Sequence, residues 1–227
     1  MNSTNATPQE NKLPHGVIFD MDGVLLDSEP FICKAACMMF EEKGLTVQPE
    51  DFLPFVGAGE NRYIGGVAEK YDFPVKIDEV KKRTYEIYLD IIKGRLQPLP
   101  GVHEFLDACR SAGKKIALAT SADAIKAEGN LREIGLPMKT FDAIVTGEDV
   151  VHKKPDPEIF VCAAGKLVCD PADCLVVEDA VNGVQAAKAA TAKCLALTTS
   201  FTKTQLTGAD WFAQTLAEAP KAALNWS

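Results

Sequence analysis

The sequence predicts an α/β protein, with a Rossmann-like parallel sheet core and an inserted α-helical cap. Short apolar runs without polar alternation recur along the chain, which is typical of strands buried on both faces of a parallel sheet. Segments with helical spacing separate the later runs, as in doubly wound folds. Residues 31–97, between the first two runs, carry helical patterns and no good strand pattern, which predicts the insertion.

The individual elements follow in chain order. The predicted strands are 16–19, 115–119, 143–145, 175–177 and 194–197. The predicted helices of the core are 102–112, 124–134, 157–167 and 181–190. A glycine follows each of the first two of these helices, where glycine commonly ends a helix. In the insertion, 31–40 predicts a well-buried helix, and a second helix has an apolar face formed by Val80, Thr84, Ile87, Tyr88, Ile91 and Ile92.

These patterns divide the chain into a core and a cap. We expect an α/β catalytic core from residues 13–29 and 98–227, a helical cap from 30–97 and a flexible tail from 1–12. The proline-rich segment 97–101 is a stiff return to the core. Hinges at the two crossings between core and cap would let the cap move and gate access to the core.

Composition narrows the class of protein. The 227 residues carry 24 Lys and Arg against 32 Asp and Glu, a net charge of −8, which argues against a nucleic-acid binder. No apolar run approaches the roughly 18 to 20 residues that cross a bilayer, and the first residues do not resemble a secretory signal. The seven cysteines are scattered and are expected to be reduced thiols. We therefore expect a cytoplasmic protein, monomeric by default, that binds neither nucleic acid nor membrane.

Two carboxylate pairs follow predicted strands. Asp20 and Asp22 come directly after the first strand, and Glu178 and Asp179 end the fourth. Ligands of open α/β sheets bind at the carboxyl ends of the strands. Carboxylates this close repel each other, so they require a cation, a shared proton or strong donors. A hard divalent cation such as Mg²⁺, which takes oxygen ligands, meets that requirement and leaves positions for water and phosphate.

Hydroxyl and basic residues follow other strands. Thr120 and Ser121 close the second strand, where Ser121 alone would be read as a helix cap. Lys153 and Lys154 precede a Pro-x-Pro segment that alone would be read as a basic turn before a helix. Beside a bound cation, Thr120 and Lys154 would complete a cradle for a phosphate dianion.

Phosphate-ester hydrolysis assigns roles to the first carboxylate pair. The uncatalysed reaction is so slow that enzymes supply up to about 10²¹-fold acceleration, which no single group provides. A carboxylate nucleophile divides the reaction into two easier steps through an aspartyl-phosphate, and Asp20 suits this role. Asp22, two residues on, is placed to protonate the leaving alkoxide and later to activate water.

Together these motifs closely resemble the haloacid dehalogenase-like hydrolase superfamily, in its phosphatase branch. The matching segments are Asp20-Met21-Asp22-Gly23-Val24, Thr120, Lys154 before Pro155 and Pro157, and Glu178-Asp179. Residues 25–30 are similar to the β-phosphoglucomutase-like subgroup, and the resemblance covers about residues 15–200. It implies a Mg²⁺ site made by Asp20, the backbone carbonyl of Asp22, and Asp179, with Glu178 assisting. Lys153, the adjacent alternative to Lys154, lies one place early in the motif.

Departures from the resemblance bear on the substrate. β-Phosphoglucomutases place a His where this chain has Ile32, and an Arg in the cap loop where it has Glu60. An acidic residue there would repel a second phosphate. Arg62 could substitute as its ligand, or its side chain, one turn away, could face solvent. We expect the cap loop 57–62 to face the substrate, with Gly57, Glu60 and Arg62 joining Ser121 in binding it.

The leading hypothesis is a Mg²⁺-dependent phosphatase of small phosphorylated metabolites, most plausibly sugar phosphates. A hexose-phosphate mutase is the alternative, since it keeps the same aspartyl-phosphate and returns it to another hydroxyl. A hypothesis from another class is a phospho-accepting signalling domain. Such receiver domains are about half this length and have no large insertion after the first strand, which disfavours this reading.

Overall fold

A six-stranded parallel sheet forms the centre of the computed structural model, which describes residues 16–56 and 59–225. The strands are β1 (Gly16–Phe19), β2 (Lys115–Ala119), β3 (Ala143–Val145), β4 (Cys174–Glu178), β5 (Lys193–Leu197) and β6 (Trp211–Ala213). Their order in the sheet is β3-β2-β1-β4-β5-β6, and every neighbouring pair is parallel. The predicted α/β fold with a parallel sheet is confirmed. β6 was not predicted, because its three residues form too short a run to be recognised.

Seven α-helices accompany the sheet in the described part of the chain. They are α1 (Glu29–Glu42), α2 (Glu60–Lys70), α3 (Ile77–Ile91), α4 (Val102–Ser111), α5 (Ala124–Glu133), α6 (Glu158–Leu167) and α7 (Val181–Ala189). Among the residues described, none of the helices combines the length and apolarity needed to cross a bilayer.

Helix α2 departs from the prediction of a loop at 57–62, since it begins at Glu60. Its sequence contains Gly65 and Gly66, which lower helix propensity and hide the pattern. Gly66 has a packing reason: a Cβ there would overlap the ring of Phe55. Gly66 is thus explained by a tertiary contact that the local sequence pattern does not reveal.

The two faces of the sheet bury separate apolar clusters. Successive side chains of a strand point to opposite faces, so Val17 and Phe19 join one cluster and Ile18 the other. The Ile18 cluster is covered by α6 and α7, whereas the Val17 cluster continues through α4 into α1, α2 and α3. The helices between β1 and β2 therefore share an apolar interior with the sheet. The boundary between a core and a cap at 30–97 stays a prediction.

Strand register brings the predicted polar residues together. Phe19 of β1 pairs with Val177 of β4, and the N–H of Asp20 donates to the carbonyl of Val177 at 3.0 Å. Asp20 and Glu178, which are 158 positions apart in the sequence numbering (178 − 20), thus leave neighbouring strands at the same edge. The sheet supplies the geometry that the motifs require.

Candidate active site

A cavity of about 820 Å³ lies between the carboxyl edge of the sheet and helices α1 and α2. The chain leaves β1, β2 and β4 at this edge, so each strand delivers polar side chains to the wall. Predicted site residues among its lining are Asp20, Asp22, Glu60, Thr120, Ser121, Lys154, Glu178 and Asp179. This concentration of polar groups in one concave space suits a small charged ligand.

Lys154 connects the two carboxylate pairs. Its Nζ lies 2.5 Å from Oδ1 of Asp20 and 2.7 Å from Oε1 of Glu178, and its side chain is 5% exposed. Burial alone would lower the pKa of Lys154, but the two carboxylates raise it above its ordinary value. Lys153 points elsewhere and donates to the carbonyl of Gly147. The structure therefore brings Lys154, rather than Lys153, to the carboxylates.

Burial and mutual repulsion raise the pKa values of the carboxyl groups at this edge. Burial raises the pKa of Asp20 to about 7, against the opposing effect of Lys154, and the charges of Glu178 and Asp22 add to the rise. Burial likewise raises the pKa of Asp179 well above its ordinary value, together with the charges of Glu178 and Asp20. One ammonium is therefore too little positive charge for this edge of the sheet, which would bind further cations favourably.

Hydrogen bonds fix Glu178 and Asp179. Oε2 of Glu178 accepts the backbone N–H groups of Asp179 and Ala180, both at 2.8 Å. Oδ2 of Asp179 accepts the hydroxyl of Ser200 and, at 3.4 Å, that of Thr199. Ser200 and Thr199 were not predicted, although they follow the fifth predicted strand as hydroxyl residues, the same signal that identified Thr120.

Two glycines make room for these carboxylates. Gly23 has a φ of 74°, and a Cβ on it would overlap the carboxylate of Asp179. A Cβ on Gly183, in the first turn of α7, would overlap the carboxylate of Glu178. Gly23 belongs to the first recognised motif and Gly183 follows the Glu178-Asp179 motif, so both positions require a residue without a side chain next to a carboxylate.

Thr120 and Ser121 follow β2, which lies beside β1 on the side away from β4. Thr120 is buried, and its Oγ1 accepts the N–H of Ala122 at 3.1 Å. This contact uses an oxygen lone pair, which leaves the hydroxyl hydrogen able to donate to a ligand. Ser121 lines the same cavity. Together they offer donors suited to a phosphate oxygen.

Two donors hold the Asp22 carboxylate, and one of them, Lys126, lies outside the recognised motifs. The hydroxyl of Ser28 donates to its Oδ1, and Nζ of Lys126 lies 3.1 Å from its Oδ2. Lys126 also lies 3.6 Å from Oε1 of Glu60. Sequence reasoning missed Lys126, because a lysine on an amphipathic helix is usually solvated.

Not all of the predicted substrate-binding residues reach the cavity. Glu60 lines it. Arg62 does not belong to the lining: its guanidinium pairs with Glu69 at 2.6 Å and lies 5.0 Å from the ring centre of Phe55, on the exposed side of α2. Of the two orientations considered for Arg62, the structure shows the one away from the cavity, because the helix that begins at Glu60 turns it outward, and its prediction as a substrate-binding residue is corrected. Gly57 lies outside the described residues.

The donor set at the sheet edge fits a hard divalent cation in its chemistry. Asp20, Glu178 and Asp179 offer carboxylate oxygens, with charge that one lysine does not neutralise. Two of these carboxylates contact Lys154, and the ligand oxygens of the three do not all lie within 4.8 Å of one another. Within residues 16–56 and 59–225, the acidic cluster that does so is exposed and consists of His152, Asp156 and Glu158.

Comparisons with known proteins agree with the geometry. The family model of haloacid dehalogenase-like hydrolases matches residues 14–191. The protein SUPPRESSOR OF QUENCHING 1, chloroplastic, of Arabidopsis thaliana is 41% identical over 204 residues, which cover 88% of this chain but 19% of that protein. A phosphorylated carbohydrates phosphatase of Thermotoga maritima is 36% identical over 174 residues, covering 77% of this chain and 80% of that one.

A solved structure extends the likeness to three dimensions. CbbY from Rhodobacter sphaeroides, in complex with xylulose-1,5-bisphosphate, has a TM-score of 0.84 and 25% identity, covering 94% of this chain and all of that one. The fold, the family model and the relatives agree with the motif-based prediction of the phosphatase branch. This chain is a member of the haloacid dehalogenase-like hydrolase family.

Proposed function

We propose that this chain is a Mg²⁺-dependent phosphatase that hydrolyses phosphorylated carbohydrates through an aspartyl-phosphate on Asp20. The observation that carries the proposal is the buried contact of Asp20 with Lys154 at 2.5 Å, inside a cavity lined by acidic and hydroxyl groups. The name of the Thermotoga relative supports a phosphorylated carbohydrate as the substrate class.

The phosphate group of the substrate binds between positive and hydroxyl groups. Lys154 offers charge to its non-bridging oxygens, and Thr120 and Ser121 offer hydroxyl donors. These contacts stabilise the charge that spreads over the three oxygens during transfer, which is the largest contribution that a protein makes to phosphoryl chemistry.

The reaction then proceeds in two steps. An Oδ of Asp20 attacks phosphorus, the bond from phosphorus to the sugar oxygen breaks, and Asp22 gives its proton to the departing alkoxide. In the second step, the Asp22 carboxylate takes a proton from water as the water oxygen attacks phosphorus. The bond from phosphorus to the Asp20 oxygen breaks, inorganic phosphate leaves, Asp20 is again a carboxylate and Asp22 is again protonated.

The cation would be held by Asp20, the backbone carbonyl of Asp22, and Asp179, with Glu178 assisting. When bound, Mg²⁺ supplies positive charge that keeps Asp20 ionised and allows a phosphate dianion to approach an acidic edge. Gly23 and Gly183 leave the space that the carboxylates of Asp179 and Glu178 occupy.

The cap side of the cavity favours phosphatase over mutase. Ile32 and Glu60 both line it, where a mutase would use His and Arg. A carboxylate at Glu60 repels the second phosphate that a mutase cycle must hold. The expectations of a cytoplasmic monomer stay predictions, and the Arabidopsis relative is named chloroplastic.

The test is inorganic phosphate release from a panel of sugar monophosphates, sugar bisphosphates, nucleotides and small phosphoacids, with Mg²⁺ or with EDTA. We expect release from sugar monophosphates that requires both Mg²⁺ and Asp20, with Asp20→Asn as the control. Interconversion of hexose phosphates without net phosphate release would replace the phosphatase by the mutase. Absence of Asp20-dependent turnover with every compound would reject both.

A further inference from the structure

Lys126 is a buried cation on the cavity wall that the proposed reaction does not use. Its side chain is 7% exposed, and its Nζ lies 3.1 Å from Oδ2 of Asp22 and 3.6 Å from Oε1 of Glu60. A buried ammonium is costly unless it is paired, and these two carboxylates are its partners. Lys126 therefore joins a carboxylate of the sheet edge to one on helix α2.

Helix α5 presents Lys126 from the face that meets the inserted helices. Asp123, just before this helix, pairs with Lys81 of α3 at 2.9 Å. Asn130, one turn beyond Lys126, accepts the hydroxyl of Tyr88 of α3 at 2.5 Å. The positions 123, 126 and 130 recur at helical spacing, so one side of α5 carries three successive polar contacts to the cap segment.

Both oxygens of the Asp22 carboxylate are held. Ser28 donates to Oδ1, and Lys126 donates to Oδ2. The Asp22 side chain is otherwise 37% exposed, so these two donors determine where it points. Ser28 precedes the first residue of α1, whereas Lys126 comes from α5. The carboxylate therefore depends on groups from two separate elements.

We propose that Lys126 is a positioning residue for proton transfer: it holds the Asp22 carboxylate in the cavity and, through Glu60, ties it to the cap. This inference rests on the proposed function, in which Asp22 protonates the leaving alkoxide. Since Lys126 contacts Asp22 and Glu60 together, the orientation of the Asp22 carboxyl group depends on a side chain that also binds α2. Chemistry at the sheet edge is thereby linked to closure over the substrate.

The test compares two leaving groups in the first turnover. The leaving group of glucose 6-phosphate is the 6-alkoxide of glucose, which needs a proton. The leaving group of p-nitrophenyl phosphate is p-nitrophenolate, a stable anion that does not. Lys126→Met removes the ammonium at similar length, and Lys126→Arg restores a cation. Lys81→Met is the matched control, because it removes another ion pair between α3 and α5 without touching Asp22.

We expect Lys126→Met to lower the first-turnover rate with glucose 6-phosphate by about 100-fold, the cost of misplacing a catalytic group. The nitrophenolate burst should stay near the wild-type rate, and KM for the sugar phosphate should change little. Lys126→Arg should recover most of the loss, and Lys81→Met should resemble the wild type with both substrates.

An equal loss with both substrates would reduce Lys126 to a structural role and overturn the inference, as would wild-type rates with both. Thermal unfolding of each variant shows that it is folded, and Lys126→Gln replaces the methionine variant if that one is not. Where the wild type does not turn over glucose 6-phosphate, the sugar monophosphate that the panel selects replaces it, and the proposed function fails first only if the wild type turns over no compound of the panel in an Asp20-dependent way. If turnover depends on Asp20 and the ratio of rates is unchanged in Lys126→Met, the inference alone fails.

Discussion

The carboxyl edge of the sheet and the cap segment (residues 30–97) hold their charges in different ways. At the sheet edge, Lys154 and its partners Asp20 and Glu178 are almost fully buried. In the cap segment, pairs such as Arg83 with Glu42 leave both side chains 45% exposed. Buried charges control each other's ionisation, while exposed pairs contribute little to stability. Under the proposed function, this difference places the chemistry at the sheet edge, where the charges are buried together.

The largest expected effect comes from Asp20→Asn. Loss of the nucleophile should reduce phosphate release to background, measured with a sugar monophosphate and Mg²⁺. Stability should not fall in parallel. Because burial raises the pKa of Asp20 to about 7, its ionisation opposes folding, and that cost appears as the pH rises from about 4 through 7.

The Asn variant should therefore gain stability relative to the wild type between pH 4 and pH 8, measured by urea unfolding in EDTA. A loss of stability that grows towards pH 8 would mean that the ion pair with Lys154 outweighs burial. Residual turnover above background would exclude Asp20 as the nucleophile.

Lys153 and Lys154 are neighbours in the sequence, so Lys153→Ala is a matched control for Lys154→Ala at the carboxyl edge of the sheet. Lys154→Ala should lower kcat by about 10²- to 10³-fold, because it removes charge stabilisation of the transferring phosphate. It should also cost about 3–5 kcal/mol of unfolding free energy, since two buried carboxylates lose their partner. Lys153→Ala should stay close to wild type in both, since it donates to the Gly147 carbonyl. Larger losses in Lys153→Ala than in Lys154→Ala would show that Lys153 is the lysine of the motif.

A smaller effect is expected on the cap side of the cavity. Glu60→Gln keeps the shape of the side chain and removes one negative charge that a second phosphate would meet. The kcat/KM for a sugar bisphosphate should rise by about tenfold relative to the monophosphate, as a partly screened charge is worth about 1 kcal/mol or more. An unchanged ratio in steady-state kinetics would show that Glu60 does not set this preference.

The smallest effect tests how the cap segment itself is stabilised. Asp51 accepts from Lys70 at 2.5 Å, from the hydroxyl of Tyr71 at 2.6 Å and from the N–H of Gln48 at 2.8 Å. The contacts with Lys70, Tyr71 and Gln48 lower the pKa of Asp51 to about 2. A lowered pKa stabilises the fold above the ordinary value near 4, and this contribution disappears as pH falls towards 2.

Asp51→Asn should thus lose about 1–2 kcal/mol at pH 7, and the deficit should shrink below pH 4 in denaturant titrations. Asp90→Asn is the control, because Asp90 pairs with Lys93 on the surface and should show little change at either pH. A deficit independent of pH would assign the effect to packing rather than to the ionised network.

The sheet edge and the cap segment also differ in how far the sequence predicts their structure. Strand ends such as Asp20 and Thr120 were recognisable because buried parallel strands have continuous apolar runs, and register then fixes which strand ends meet. The cap segment was less predictable. Helix α2 contains Gly66, which packs against Phe55, and its first turn places Glu60 at the cavity while Arg62 pairs with Glu69.

Lys126 shows a further limit. A lysine on an amphipathic helix is usually solvated, and nothing local distinguishes one whose partners come from distant segments. Its pairing with Asp22 and Glu60 exists once the sheet, α5 and α2 are assembled. Contacts of this kind need the tertiary structure, whereas motifs on strand ends do not.

The central claim is that Asp20 carries the phosphoryl group, and rapid quenching of the reaction tests it most directly. The wild type is mixed with a sugar monophosphate and Mg²⁺, quenched in acid within the first turnover, reduced with borohydride and mapped by mass spectrometry. We predict reduction of the Asp20 carboxyl to the alcohol, as expected for an acyl phosphate, and none in Asp20→Asn. Rapid turnover with an unmodified Asp20, or with the modification at another residue, would contradict the account.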